Sequence, residues 1–362
     1  MLKKEEIHII KRVISQAKNV VIISHYNPDG DAVGSSLGLF HFFNNEGYNT
    51  KVILPNPFPD FLKWMKGSDT ILVAQEKMKE SVKLILDADL LFVLDMNAPN
   101  RAGNELGDAI VASKAFKILI DHHKNPDIEC NIMLSTPKTT STCELVYCFL
   151  FDYLKAKDRL TKEIAECLYV GIITDTGSLT YACNYPGTYK ILSKLIKLDI
   201  DGEHIHRQIY DNYSESRIKL LGLSLSKRLT VLPDYATSFI YLTKQDLIDH
   251  NYKIGDTEGF VNYGLSLKSV QFTAFFIQRD NRIRISFRSK GNFDVSRFAK
   301  KHFNGGGHKN ASAAYHYDTL ENTIKYFEEI IKEYQQELLL QCDTINTPYK
   351  QYHSLRMDQD ND

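Results

Sequence analysis

The chain has 362 residues, more than the roughly 150 of an ordinary domain, which predicts two domains with substantial cores. Its composition, 43% hydrophobic and 25% charged, is typical of globular proteins and excludes a disordered or low-complexity chain. The net charge of −1 provides no overall field that would attract long duplex nucleic acid. Because no long apolar run or secretory signal pattern is found, we expect no membrane association and a cytoplasmic location.

The cysteines form no CxxC pair, which in a chain of this length predicts reduced thiols and no disulfide framework. The six are Cys130, Cys143, Cys148, Cys167, Cys183 and Cys342.

The first 200 residues alternate short apolar strands with helical patterns. The predicted strands lie at residues 20–24, 51–54, 90–94 and 116–120. The predicted helices occupy residues 3–17, 32–46, 161–174, 188–198 and 203–227. Ser141 and Glu144 have the spacing of a capping box that opens a further helix. This alternation predicts βα units around a mostly parallel sheet.

A different pattern begins near residue 229. Residues 236–243, 270–278 and 282–287 are rich in strand-forming side chains, and a terminal helix is predicted over residues 320–340. We therefore expect one domain over residues 1–200, a linker helix over 201–228 and a second, smaller domain over 229–342. A polar tail, residues 343–362, is expected to be flexible.

Acidic and histidine side chains follow the predicted strands or end a predicted helix in four places. They are His25, Asp29 and Asp31; Asp95; Asp121, His122 and His123; and Asp175. Each is common in isolation, since a turn such as Asn-Pro-Asp-Gly is often only structural. The carboxyl ends of parallel strands meet at one edge of a sheet, however, so the clusters should converge. The carboxylates of Asp29, Asp31, Asp95 and Asp175, together with the three imidazoles, suit Mn²⁺ or a related octahedral ion better than structural zinc. Two ions sharing one carboxylate would imply phosphoester hydrolysis.

These segments, followed by Gly305-Gly306-Gly307-His308, resemble in order the signatures of the DHH phosphoesterase family, in the subgroup with a DHHA1 domain. The resemblance spans residues 20 to about 315. It implies an α/β fold with an N-terminal DHH domain, whose mostly parallel sheet is flanked by helices. A linker helix and a smaller C-terminal α/β DHHA1 domain would follow, with the active-site cleft between the two domains.

The resemblance also implies the roles of individual residues. One Mn²⁺ would be held by His25, Asp29 and Asp95, and a second by Asp31, Asp95, His122 and Asp175. His123 would face the scissile phosphate, while Asp121 would orient an imidazole. Mg²⁺ and Co²⁺ are the expected substitutes for the two Mn²⁺ ions of each subunit.

Further residues are candidates for substrate binding. Asn97 and Arg101 match a family Asn and Arg near the metals, although a loop Arg is often merely solvated. In the second domain, Arg288, Gly305, Gly306, Gly307 and His308 are the candidate contacts. Three successive glycines cannot form a core strand, so close approach of the backbone to a ligand or a plain turn would explain them. Residues 279–309 carry nine Lys or Arg against two Asp, a net charge of +7, which indicates an anion-facing surface.

Within the family, the length and two-domain layout resemble the bacterial oligoribonuclease and pAp phosphatase group. We therefore expect hydrolysis of RNA of two to five nucleotides to mononucleotides, and of pAp to AMP. A phosphodiesterase for cyclic or linear dinucleotides such as cyclic di-AMP and pApA is the alternative enzyme, and a non-catalytic nucleotide-binding regulator is the remote alternative. The polarity of attack and the choice between monomer and homodimer stay open.

Overall fold

The structure is a computed structural model that describes residues 2–181 and 184–345. It divides into two compact units, residues 1–212 and 213–362. Cys183, the side chain of Cys342 and residues 346–362 of the predicted tail lie outside the described residues. None of the helices in the described ranges is long and apolar enough to cross a bilayer.

The first unit is built on a six-stranded sheet, sheet A, with strand order β3-β2-β1-β4-β5-β6 and every pair parallel. Its strands are β1 (Asn19–Ile23), β2 (Asn49–Leu54), β3 (Leu72–Val73), β4 (Leu90–Leu94), β5 (Phe116–Asp121) and β6 (Ile132–Ser135). Its helices are α1 (Lys4–Gln16), α2 (Gly30–Asn45), α3 (Ala74–Leu86), α4 (Asn104–Ala112), α5 (Thr142–Tyr147), α6 (Lys162–Asp175), α7 (Pro186–Ile196) and α8 (Gly202–Tyr210). The predicted parallel sheet is confirmed.

Both faces of sheet A are buried because helices pack on each of them, and successive residues of its strands point to opposite faces. On one face Ile22 and Phe92 pack in a core with residues of α2, α5 and α6. On the other, Val21 and Val93 pack with residues of α3 and α4. The continuous apolar runs that marked these strands in the sequence therefore reflect a sheet covered on two sides.

The second unit contains a mixed six-stranded sheet, sheet B, with order β11-β12-β10-β9-β8-β7, in which only the β8–β9 pair is parallel among the pairings described. Its strands are β7 (Leu229–Leu232), β8 (Thr237–Leu242), β9 (Phe272–Gln278), β10 (Ile283–Ser289), β11 (Asn304–Gly307) and β12 (Ala311–His316). Its helices are α9 (Glu215–Lys227), α10 (Lys244–Asp249), α11 (Phe260–Ser266), α12 (Val295–His302), α13 (Leu320–Ile331) and α14 (Gln335–Ile345).

Three sequence predictions of helices need correction. The predicted helix over residues 203–227 is two helices, α8 and α9, because Ser214 caps the second by accepting a hydrogen bond from the Arg217 amide. The terminal helix is interrupted by a 3₁₀ turn, Lys332–Tyr334. The segment that follows continues as α14 to Ile345, past the predicted start of the tail at residue 343.

The predicted capping box at α5 is half right. Ser141 caps the helix, since its hydroxyl accepts a hydrogen bond from the Glu144 amide at 3.2 Å. The Glu144 carboxylate does not return to the cap residue and instead accepts bonds from the Thr140 amide and hydroxyl. The four cysteines at 130, 143, 148 and 167 are free thiols, as predicted.

Candidate metal centre and substrate-binding residues

The strand order of sheet A gathers the predicted clusters at one edge. β1, β4 and β5 lie side by side, and their carboxyl ends lead into His25, Asp95 and the Asp121-His122-His123 segment. Asp29 and Asp31 enter from the start of α2, and Asp175 is the last residue of α6. The structure thus brings all four clusters to the carboxyl edge of the sheet, where ligands of open parallel sheets bind.

Asp95 lies at the middle of this cluster. Its Oδ2 is 3.2 Å from His25 Nε2, and its Oδ1 is 3.4 Å from His122 Nε2, so its two oxygens serve different imidazoles. Only 2% of the residue is exposed. Its φ of +57°, an uncommon backbone conformation for a residue other than glycine, turns the chain directly after β4. A carboxylate held in this way can bridge two cations.

His25 and Asp29 form the side of the cluster that faces Asp95 Oδ2. His25 Nε2 lies 4.0 Å from Asp29 Oδ1. The same Asp29 oxygen caps α2, accepting hydrogen bonds from the amides of Asp31 and Ala32, both at 3.0 Å. The cap fixes the direction of the carboxylate, and about half of the side chain stays accessible.

Asp31 and Asp175 lie on the opposite side, around His122. His122 Nε2 is 3.9 Å from Asp31 Oδ2 and 3.5 Å from Asp175 Oδ2. These two carboxylates belong to α2 and α6, so their separation depends on how closely the two helices pack.

Glycines on one face of α2 allow that close packing, a feature the sequence analysis missed. A Cβ on Gly30 would lie 2.2 Å from Thr174 Oγ1, and one on Gly34 would lie 2.5 Å from the Cys167 carbonyl oxygen. Gly38 would similarly meet Leu168. The i, i+4, i+8 spacing of these glycines on a predicted helix was the available signal. The sequence predicts a turn residue at Gly30, but this glycine is the first residue of α2, and Thr174 on α6 leaves no room for a Cβ there.

His123 takes part in a separate chain of hydrogen bonds. Its Nδ1 is 2.7 Å from Asp121 Oδ1, and its Nε2 is 2.9 Å from the Arg101 guanidinium. With Asp121 ionised, Nδ1 carries the proton and Nε2 accepts from Arg101. Arg101 is placed by the bond that its backbone carbonyl accepts from the Tyr26 amide, so its guanidinium lies beside the centre; its contact with substrate stays a prediction.

Asn97, the other predicted substrate contact near the metals, forms hydrogen bonds within the protein. Its side-chain amide donates to the Lys124 backbone carbonyl at 2.8 Å, and its backbone carbonyl accepts a hydrogen bond from the Asp127 amide. These bonds hold the loop that follows His123, which gives Asn97 a structural role in addition to the predicted one.

The electrostatics show how crowded the centre is. Burial, together with Asp95, Asp175 and Asp29, raises the pKa of Asp31 well above its ordinary value. Burial opposes ionisation of Asp95 as well, but the hydrogen bond from His25 and the neighbouring imidazoles hold its pKa below its ordinary range. Burial lowers the pKa of His123 to about 3, so its imidazole is neutral near pH 7. Burial and Asp95 raise the pKa of Asp121 to about 6.

This donor set fits divalent cations. Two groups, His25–Asp29–Asp95 and Asp31–His122–Asp175, each present three ligand atoms within 4.8 Å of one another. Closely spaced buried carboxylates repel one another unless protons or cations neutralise them. Asp121 Oδ2 is buried and lacks a hydrogen-bond partner among the described residues. Mixed oxygen and imidazole ligands without a thiolate are typical of Mn²⁺-type sites.

In the second unit the three glycines are part of a strand, so they are not a plain turn, and approach of their backbone to a ligand stays a prediction. β11 is an edge strand that pairs antiparallel with β12. A Cβ on Gly305 would lie 2.4 Å from the Ala313 carbonyl oxygen, and one on Gly307 would lie 2.7 Å from the Ala311 carbonyl oxygen. The close approach that excludes side chains at these two positions is therefore to β12. Gly306 differs, since its nearest neighbour would be the Lys300 side chain at 3.4 Å.

His308 and Arg288 lie at the same end of sheet B. The His308 amide donates to the Ala311 carbonyl, which closes the turn between β11 and β12. Arg288 pairs with Ala311 across the β10–β12 ladder, and its guanidinium donates to the Phe287 carbonyl at 2.9 Å. The register thus groups the predicted contacts Arg288, His308 and Gly307 at one end of the sheet.

The basic segment, residues 279–309, has fewer unpaired cationic side chains than its net charge of +7 suggests. Arg297 forms an ion pair with Glu337, and Lys301 forms one with Glu333. Both carboxylates come from the C-terminal helical region, outside the basic segment. Arg282 lies over the ring of Tyr315. The remaining anion-binding capacity is therefore concentrated on fewer side chains than the net charge of +7 indicates.

A parallel sheet whose carboxyl edge carries two adjoining groups of carboxylates and imidazoles is typical of metal-dependent phosphoester hydrolases, the class to which this chain belongs. Comparison with known sequences gives the family. The model described as "DHH family, N-terminal domain" matches residues 19–172, and that of the "DHHA1 domain" matches residues 234–337. The chain belongs to the DHH family and carries a DHHA1 domain, as the sequence motifs predict. Members of this family depend on metal ions.

Individual relatives refine this picture. The bifunctional oligoribonuclease and PAP phosphatase NrnA of Bacillus subtilis is 26% identical over 90% of this chain and 98% of its own length. The cyclic-di-AMP phosphodiesterase PdeA of Listeria monocytogenes is 24% identical over 84% of this chain, which spans 46% of that relative. The crystal structure of an exopolyphosphatase-related protein from Bacteroides fragilis superposes with a TM-score of 0.88 at 43% identity, covering 92% of this chain and 99% of that one.

Proposed function

We propose that this enzyme hydrolyses RNA of two to five nucleotides to mononucleotides, and pAp to AMP, with two Mn²⁺ ions. The observation that carries the proposal is the arrangement around Asp95, whose two oxygens face two separate groups of ligands. His25, Asp29 and Asp95 would hold one ion, and the second would be held by Asp95 with Asp31, His122 and Asp175. Bound ions would supply Lewis acidity and a reactive water for attack on phosphorus.

The remaining residues of the centre bind and orient the phosphate. Arg101 presents a permanent positive charge beside His123 and can bind a phosphate oxygen through its guanidinium. Asp121 holds the proton on His123 Nδ1, so that Nε2 keeps a fixed direction. Because His123 is neutral near pH 7, it can exchange a bond with Arg101 for one with a substrate atom without changing charge.

The proposed substrates are those of the relative whose sequence matches this chain over both domains. The NrnA relative matches over nearly its whole length, so the two proteins share one domain set. In this proposal Arg288, His308 and the glycines of β11 bind the part of a short nucleotide that lies away from the reacting phosphate. A small number of cationic side chains suits short substrates, since long nucleic acid is held by many phosphate contacts. A cytoplasmic location belongs to the proposal and is supported by the free thiols.

A dinucleotide phosphodiesterase is the second candidate. It is supported by the PdeA relative, which matches over 84% of this chain. The two candidates need the same metal centre and differ in what the second unit recognises.

A panel of substrates tests the proposal. Metal-depleted protein is supplied with Mn²⁺, Mg²⁺ or Co²⁺ and assayed on RNA of two to five nucleotides, pAp, pApA, cyclic di-AMP and inorganic polyphosphate. Polyphosphate is included because of the name of the Bacteroides fragilis relative. Asp31→Asn, prepared in parallel, measures contaminating nuclease.

We expect Mn²⁺-dependent turnover of short RNA and pAp that the Asp31→Asn sample lacks. Faster turnover of cyclic di-AMP than of either, or turnover of dinucleotides without any turnover of RNA of three to five nucleotides, would replace the proposal with the second candidate. Preference for polyphosphate would overturn both. Tight nucleotide binding without turnover of any substrate would identify a regulator.

A further inference from the structure

The segment Ser141–Glu144, which the sequence marks only as a helix cap, contacts two carboxylates of the metal centre. The Thr142 hydroxyl donates to Asp95 Oδ1 at 2.9 Å. The backbone amides of Thr142 and Cys143 donate to the two oxygens of Asp31, at 2.7 and 2.9 Å. These contacts join parts of the chain 47 to 112 residues apart, so no local pattern could reveal them.

The segment is itself held firmly. Ser141 and Thr142 are completely buried. Behind them, Glu144 Oε2 accepts hydrogen bonds from the Thr140 hydroxyl at 2.7 Å and from the Thr188 hydroxyl at 2.9 Å. Burial and the bonds to Glu144 leave the Thr142 side chain few alternative rotamers. Little conformational entropy is therefore lost when its hydroxyl donates to Asp95, which suits it to fixing the direction of that carboxylate.

The direction of Asp95 matters more than that of the other carboxylates. A carboxylate that serves two groups must keep its plane fixed, with Oδ2 toward His25 and Oδ1 toward His122. Rotation about the Cβ–Cγ bond is otherwise soft, since this torsion has a broad distribution. The bond from Thr142 reaches the same oxygen as His122 and so opposes that rotation.

We propose that Thr142 is a positioning residue that holds Asp95 in the bridging orientation, while the amides of Thr142 and Cys143 orient Asp31. The inference rests on the proposed function in taking these carboxylates as metal ligands. Thr142 touches neither substrate nor ion in this role. Its hydroxyl proton is used in the bond to Asp95, and its effect passes through that carboxylate to both ions.

Three variants test the role. Thr142→Val removes the hydroxyl and keeps the shape, and Thr142→Ser keeps the hydroxyl and removes a methyl group. Ser113→Ala is the control, because it also deletes a buried hydroxyl of the first unit, one that donates to the Ile85 carbonyl at 2.8 Å and contacts no residue of the metal centre among the bonds described. Each protein is checked by circular dichroism and thermal unfolding in EDTA. Mn²⁺ affinity and stoichiometry are then measured by calorimetry, with free Mn²⁺ followed by electron paramagnetic resonance.

We expect Thr142→Val to bind Mn²⁺ about 10- to 100-fold more weakly, the loss typical when a hydrogen bond to a metal ligand is removed. Thr142→Ser should bind like the wild type. Ser113→Ala should lose stability in EDTA and keep wild-type Mn²⁺ affinity. Wild-type affinity in Thr142→Val, or equal losses of affinity in Thr142→Val and Ser113→Ala, would overturn the positioning role. Failure of the wild type to bind Mn²⁺ would instead overturn the metal centre of the proposed function.

Discussion

Replacing Gly34 by alanine should separate two helices that carry ligands of the metal centre. The added Cβ would lie 2.5 Å from the Cys167 carbonyl oxygen and 3.1 Å from the Gly171 amide nitrogen, both backbone atoms of α6. Close carbon–oxygen contacts in proteins are about 3.3 Å or longer. A side-chain rotation cannot relieve the contact, so α2 and α6 must move apart by roughly 0.8 Å at this point to restore that separation.

The cost follows from two opposing effects. Overpacking of a close-packed core costs about 1–3 kcal/mol, whereas Gly→Ala inside a helix recovers about 0.5–1 kcal/mol. We therefore expect Gly34→Ala to destabilise the first unit by about 1–2 kcal/mol, which lowers its melting temperature by several degrees. Because Asp31 and Asp175 sit on the two separating helices, Mn²⁺ affinity should fall as well.

The matched control is Gly187→Ala on α7, in the same unit. Among the described residues, a Cβ there would meet only Glu144 Oε1, at an ordinary distance of 3.5 Å, so the exchange should be neutral or stabilising by up to about 1 kcal/mol. Urea unfolding followed by the fluorescence of Trp64, the single tryptophan of the sequence, reports on this unit. If Gly34→Ala were as stable as Gly187→Ala and bound Mn²⁺ normally, the close-packing argument would be refuted.

Three further variants address other parts of the molecule. Asp95→Ala should lower turnover by at least about 100-fold at saturating Mn²⁺, because the carboxylate shared by both ligand groups is lost; activity above a tenth of the wild-type rate would contradict the bridging role. Arg288→Ala should raise the KM for a dinucleotide and leave hydrolysis of bis-p-nitrophenyl phosphate unchanged, since the smaller substrate lacks the part bound by the second unit; equal losses on both would refute that division. Asp246→Asn should destabilise the second unit by about 2 kcal/mol at pH 7 through loss of the bidentate pair with Arg228. Burial acts to raise the pKa of Asp246, but the bonds from Arg228 and Thr243 outweigh burial, so the pKa lies below its ordinary value. The stabilisation is therefore present above about pH 4 and is lost as the pH falls below that value. A difference in urea unfolding between variant and wild type that did not change with pH would show the reasoning to be wrong.

The sequence by itself determined the fold class and the residues that could form a metal centre. Short, largely apolar segments that lead into His25, Asp95 or Asp121 identify buried parallel strands, and the geometry of such strands requires their ends to meet at one edge. The apolar pattern of a strand is a local property, and the convergence of strand ends follows from the topology of a parallel sheet. They depend on periodicity and on the order of elements, which a sequence displays directly.

Only the tertiary structure revealed which distant groups touch. The bond from Thr142 to Asp95, the ion pair of Arg297 with Glu337, and the packing of Gly34 against Cys167 each join segments far apart in the chain. No periodic pattern records such contacts, because a hydroxyl, a charge or a missing Cβ acts through its neighbours in space. The three glycines of β11 illustrate this best, since their composition predicts approach of the backbone to a ligand or a plain turn, and only the fold shows that Gly305 and Gly307 pack closely against β12.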